Sequence, residues 1–159
     1  MPTTQETTEH PIIFNDWSIR RILEGEKTQT RRIVKPQPGT VVDSIRHVKG
    51  RFWQANEMSS HSDPILWQEK CPYGQPGDVL WVREAFRLPE NADDVSPSTY
   101  VQEWEFDEAA RLTTLYESTD SVKEAPGDWG RLRPSIHMPR ELCRLRLKVE
   151  DVRVERLTN

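Results

Sequence analysis

Gly25-Glu26-Lys27-Thr28-Gln29-Thr30-Arg31-Arg32 sets a lysine, two threonine hydroxyls, an amide and two guanidiniums side by side. Such a stretch is too polar for a core element and too dense in hydrogen-bonding groups for an ordinary turn. The rest of the chain therefore reads as a scaffold that presents it. Just upstream, Ile19, Ile22 and Leu23 recur at helical spacing with Arg20, Arg21 and Glu24 off that stripe. Asn15 or Asp16 offers the N-cap of this short helix. Gly25 is placed to end it, because a residue without a Cβ takes the left-handed conformation common just past a helix C-terminus. Before the helix, Pro11-Ile12-Ile13-Phe14 has the character of a buried strand. After it the chain turns extended, with Thr30, Arg32 and Val34 on one side and Arg31 and Ile33 on the other, until Pro36-Gln37-Pro38-Gly39 stops it.

The chain has 159 residues, enough for one domain with a real core, but only 35% are hydrophobic and 30% are charged. Twelve prolines against seven glycines favour many short elements over long helices. No apolar run approaches the roughly 18 residues of a membrane span, so no membrane partner is expected. Residues 1–10 are polar and Thr-rich and are expected to be a disordered tail rather than a signal peptide; a cytoplasmic location is expected. Cys71 and Cys143 lie far apart, outside any Cys-x-x-Cys pattern, and are expected to be reduced. His10, His47, His61 and His137 form no pair at metal-ligand spacing, so neither metal nor cofactor is expected.

The net charge of −4 conceals an asymmetry. From Trp17 to Lys35 the bases Arg20, Arg21, Lys27, Arg31, Arg32 and Lys35 face only Glu24 and Glu26. Bases again outnumber acids from Arg131 to Asn159. The acids, among them Asp93, Asp94, Glu103, Glu105, Asp107 and Glu108, concentrate between Glu84 and Asp128. A basic face built from the two ends could steer a polyanion despite the acidic pI, since local field matters more than net charge. Taken by composition alone, the same runs read first as solvated surface.

Further along, Val41-Val42 and Phe52-Trp53 suggest strand fragments, and Ser59 to Pro64 a loop. Cys71-Pro72-Tyr73-Gly74-Gln75-Pro76-Gly77-Asp78 is a dense turn cluster feeding the strand Val79-Leu80-Trp81-Val82-Arg83-Glu84. Leu88 to Ser98 reads as a mobile acidic connector, within an irregular acidic insertion over 88–128. Tyr100, Trp104 and Phe106 fall on one side of an alternating segment, which predicts a strand; 107–118 could be helix or strand. Cys143, Leu145, Leu147 and Val149 alternate with Arg144, Arg146 and Lys148, a half-buried strand with a basic outer face. Its phase slips at Glu150-Asp151, implying a bulge or bend before Val152 and Val154. The sum is an α+β chain, mostly β: a small barrel with a short N-terminal helix, occupying 11–159 as a single domain.

Three motifs in order carry a resemblance: Gly25–Arg32, Cys71–Glu84, and Arg133-Pro134-Ser135-Ile136-His137-Met138-Pro139-Arg140. With them the chain, from about Pro11 to Leu157, resembles the ASCH-domain family of the PUA-like superfamily of small β-barrels. The likeness is to members encoded by phages and prophages. It implies a cleft floored by Lys27–Arg32 and a partner that is RNA or a modified nucleoside or nucleotide, in a prokaryotic or virus-infected cell. It also implies an alternative, since some small members are amidohydrolases that deacetylate N4-acetylcytidine with a lysine, a threonine and a glutamate. Lys27 and Thr30 match the first two. The family's glutamate lies beyond the strand matched by Leu145–Val154, leaving Glu84 as the best acid in the matched motifs. A third reading keeps the fold as a viral or prophage protein-interaction module.

By the residues themselves, Lys27 and Thr30 would point to opposite faces of a straight strand, so their cooperation requires the turn at Gly25. Of Arg31 and Arg32, one is expected to face the cleft and grip a phosphate with its planar fork. Thr28, Trp81, Ser135, His137 and Arg140 complete the candidate ligand-binding set. Trp81, mid-strand, is more often core than platform, and Glu84 could equally pair with an arginine. A barrel lacking the family's last strand would expose an edge. It is expected to be filled by the acidic middle or, slightly favoured, by a second copy in a homodimer.

Overall fold

The computed structural model describes residues 7–35, 42–48, 52–57, 65–103 and 114–155. The chain is a small α+β protein, mostly sheet. Its elements in order are β1 (Glu9–Ile13), α1 (Asp16–Leu23), β2 (Val42–Val48), β3 (Phe52–Glu57), β4 (Ile65–Lys70), β5 (Val79–Arg83), β6 (Phe86–Arg87), α2 (Pro97–Glu103), β7 (Leu115–Tyr116) and β8 (Arg146–Lys148). Short 3-10 turns stand at Glu90–Ala92, Ser135–His137 and Arg140–Leu142. Sheet orders are β1-β5-β8, β2-β3-β4 and β6-β7; among the described residues none of these sheets closes into a barrel. No helix among the described residues is long and apolar enough to cross a membrane.

The chain divides into two compact units, one of 1–10, 31–79 and 148–159, the other of 11–30 and 80–147. In the first, β2, β3 and β4 form an antiparallel meander, with Ile45 opposite Ala55 and Ala55 opposite Trp67. The β2–β3 register shifts between Val42 and Ser44. The predicted turn cluster closes around the buried Asp78, whose carboxylate accepts the Thr8 and Gln75 N–H groups at 3.0 Å each. His10 Nε2 lies 3.4 Å from the same carboxylate. Gly74, at φ +84°, is required there, since a Cβ would come within 2.5 Å of Asp78 Oδ2.

In the second unit the cluster Phe86, Leu88, Ala92, Tyr100, Val101, Tyr116, Met138 and Leu142 forms a buried core. The segment 85–90 is its axis. Phe86 exchanges backbone hydrogen bonds with Arg133 (3.1 and 2.8 Å), pairs with Tyr116 in β6–β7, and Gly130 N–H reaches the Leu88 carbonyl at 2.9 Å. Buried Arg133 donates from Nη2 to the carbonyls of Ala92 (2.7 Å) and Asp93 (3.3 Å). Burial, with the nearby Arg131 charge, pushes its pKa down, and Asp93 works against that shift.

Several expectations are corrected. Leu88 to Ser98 is no mobile connector: Leu88 and Ala92 are core residues around a 3-10 turn. The strand expected around Tyr100 is the helix α2 over its described part. Ser96 Oγ accepts the Thr99 N–H at 3.1 Å, and Pro97 opens the first turn, where its missing N–H costs nothing. Tyr100 and Val101 are both buried, a helical rather than an alternating pattern. The residues from Thr28 to Val34 belong to no β-ladder. The strand around Leu145 is short, β8 alone; Val149 still exchanges backbone hydrogen bonds with Gly77 and Asp78 at 2.8 Å each, and 150–155 lie in no strand. Glu9 and His10, taken with the tail, belong to β1. Residues 1–6, the Pro36–Gly39 stop, the 59–64 loop, Trp104, Phe106 and 107–113 lie outside the described residues.

Candidate functional site

The helix that presents the cationic stretch is built as its sequence prescribes. The Asn15 side chain accepts the Ser18 N–H at 2.9 Å, capping α1 at its N-terminus. Ile19 is fully buried and anchors one face. At the other end Gly25, at φ +75°, donates its N–H to the Ile22 carbonyl at 3.0 Å, while Glu26 N–H reaches the Arg21 carbonyl at 2.9 Å. These two bonds are the Schellman motif, which satisfies carbonyls the helix would leave bare. Lys27 N–H also donates to the Arg21 carbonyl, at 3.0 Å. The chain is thereby turned back and away from the helix axis before the stretch begins.

Thr28, Gln29, Thr30, Arg31 and Arg32 are exposed and Lys27 is half-buried. The Arg32 guanidinium donates to the Arg31 carbonyl at 3.3 Å. The nearest acids in sequence are occupied elsewhere: Glu24 and Glu26 both pair with Arg21, Glu24 at 3.6 Å. Among the described residues no hydrogen bond or ion pair links Lys27 or Thr30 to Glu84.

Glu84 sits elsewhere, in the interior. The β5 alternation buries Leu80 and Val82 and half-exposes Trp81 and Arg83; Glu84, next in phase, is only 1% exposed. Arg144 answers it bidentately, Nε to Oε1 and Nη2 to Oε2 at 2.9 Å each. Ser118 Oγ donates to Oε2 at 2.5 Å and accepts from Arg144 Nη2 at 3.0 Å. Arg144 Nη2 also reaches Thr119 Oγ1 at 2.9 Å, and Thr119 donates to Asp120 at 2.8 Å. The guanidinium lies 3.9 Å from the centroid of the Tyr116 ring. Burial lowers the Arg144 pKa, but hydrogen bonding and charge from Glu84, helped by Asp120 and Tyr116, more than offset it; the net shift is upward.

A shallow depression of about 350 Å³ lies beside this network, lined by Arg20, Glu117, Ser118, Thr119, Asp120 and Ser121. Arg20 Nε donates to the Ser118 carbonyl at 2.6 Å along its wall. The hydroxyls of Ser118 and Thr119 already have partners in the network.

The remaining candidates are scattered along the second unit. Trp81 is half-buried with the Arg83 guanidinium 5.5 Å over its ring. Arg83 also donates from Nη2 to the Ile136 carbonyl. Ser135 is half-buried; His137 and Arg140 are exposed on successive 3-10 turns held by the buried Met138. Arg144, Ser118 and Tyr116 were missed by sequence reading: the alternation around Leu145 put Arg144 on an outer basic face, and nothing local announces a partner 60 residues away. Among the described residues no group of three or more His, Cys, Asp or Glu side chains could hold a metal ion. No protein-family model, curated protein or solved structure matches this chain.

Proposed function

We propose that the chain is a PUA-like ASCH module that binds single-stranded RNA or a modified nucleotide through Lys27–Arg32. One observation carries this reading. A dense run of cations and hydroxyls stands exposed off a capped helix end while both neighbouring carboxylates are turned to Arg21. Among the described residues Lys27 and Arg31 form no ion pair, and such positive charge is what a phosphate backbone neutralises, with release of counterions. The exposed threonine hydroxyls and the Gln29 amide add neutral donors beside those charges. The PUA-like barrel is part of the same proposal and rests on the three sequence motifs.

The amidohydrolase reading gains nothing from these residues, because both Glu84 oxygens are engaged by Arg144 and Ser118. The test is binding of a fluorescently labelled ten-nucleotide RNA across a salt series. With Lys27 and Arg31 on phosphates, log K against log salt should fall with a slope of about −1.4, roughly 7-fold between 50 and 200 mM. Lys27→Ala should remove about 0.7 of that slope. Absent or salt-independent affinity contradicts the proposal, and acetate release from N4-acetylcytidine, lost in Thr30→Ala, would replace it with the enzymatic reading.

A further inference from the structure

Trp17 has no role in the fold that its setting explains. It lies on α1 two residues from the fully buried Ile19, about 200° around the helix, and therefore faces away from the buried side. An indole is the largest apolar side chain, and this one is 62% exposed. One turn later the Arg21 guanidinium lies 5.7 Å over the ring and is itself anchored by Glu24 and Glu26. The ring is thus held from one side without being covered.

The same Arg21 ties the ring to the cationic stretch. Its carbonyl accepts the N–H groups of Glu26 and Lys27, so the first residue of that stretch is fixed to the helical turn after Trp17. Trp17 and Arg21 are themselves one helical turn apart, about 5.4 Å of rise. A flat apolar surface next to cations and hydroxyls matches the make-up of single-stranded nucleic acid, a flat base beside a phosphate. Here the helical neighbours Arg20, Arg21 and Glu24 are charged.

We propose that the Trp17 indole is a stacking platform for one base of a single strand whose adjoining phosphate meets Lys27. This rests on the RNA-binding reading above and adds a contact that the salt series does not sense. Stacking on an aromatic ring is tolerant of base identity, so oligouridine and oligoadenosine should both respond.

The experiment compares wild type, Trp17→Ala and Trp17→Phe on a labelled ten-nucleotide RNA and on an abasic strand of equal length. Trp17→Ala should weaken RNA binding about 5- to 100-fold, with the salt slope unchanged. Trp17→Phe should stay within a few-fold of wild type, and the abasic strand should not distinguish the three. Failure of the wild type to bind either strand overturns the RNA reading and the stacking role with it. Wild-type binding that Trp17→Ala leaves intact overturns the stacking role alone. So does a Trp17→Ala variant that loses self-association in light scattering while keeping its RNA affinity, since the ring would then belong to a protein contact.

Discussion

Around Arg144 and around Lys27 the chain gathers the same kinds of group, cations beside hydroxyls, and disposes of them in opposite ways. At Arg144 every group is answered: Glu84 by two guanidinium nitrogens and Ser118, Thr119 by Asp120, the guanidinium face by Tyr116. At Lys27–Arg32 the acids next in sequence are diverted to Arg21, and the hydroxyls face solvent. The cause is the backbone. β5 alternation carries Glu84 inward on the phase of Leu80 and Val82, whereas beyond the Schellman turn at Gly25 and the half-buried Lys27 the residues Thr28 to Arg32 are exposed. A dense polar cluster is therefore no sign of function by itself; unanswered charge at the surface is the better one.

The largest effect should come from breaking the satisfied cluster. Glu84→Ala leaves Arg144 and Ser118 without their shared acceptor. Arg144 keeps 26% exposure and can rehydrate in part, so the low end of the buried-pair range applies, a loss of about 3 kcal/mol in urea unfolding. A loss below about 1 kcal/mol, the worth of an exposed pair, would mean that the network contributes little. A second probe of the same interior is Cys143. Burial pushes its pKa up, against hydrogen bonds from the backbone of Leu145 and Val82, and its thiol donates to the Leu145 carbonyl at 3.2 Å. Alkylation at neutral pH should spare it in the native protein and reach it in Glu84→Ala; equal rates in both proteins would separate the thiol from the network.

The smaller effect lies on the other side. No atom lies within 4 Å of a Cβ built on Gly25, so Gly25→Ala meets only the conformational cost of φ +75°. That cost is about 1 kcal/mol. The variant should also weaken RNA binding, because the turn that aims Lys27 is loosened. Unchanged stability would mean that the cap is not held in this conformation.

How much of this was legible follows from how local each feature is. Strand β1, the Asn15 cap, the Gly25 stop, the 71–78 turn and β5 are written in consecutive residues, and the structure has them there. The meander β2–β4 was legible only as fragments, since its strands are specified by pairing with one another rather than by alternation. Helix α2 was misread because the aromatic spacing of Tyr100, Trp104 and Phe106 outweighed a plainer signal, the Ser96 cap before Pro97. The acid-rich middle concealed Leu88, Ala92, Tyr100, Val101 and Tyr116, which supply five of the eight residues of the core cluster. The cationic stretch was legible as a candidate site from its composition. The Glu84–Arg144 partnership was not, because it is closed by chain segments 60 residues apart.

Amide hydrogen exchange, followed by mass spectrometry with and without a ten-nucleotide RNA, tests the division between the two regions most directly. The expected result is slowed exchange in peptides covering 17–32 and no change in peptides covering 80–84 and 115–121. RNA-dependent protection confined to 115–121, beside Arg144, with 17–32 unaltered, would contradict the account.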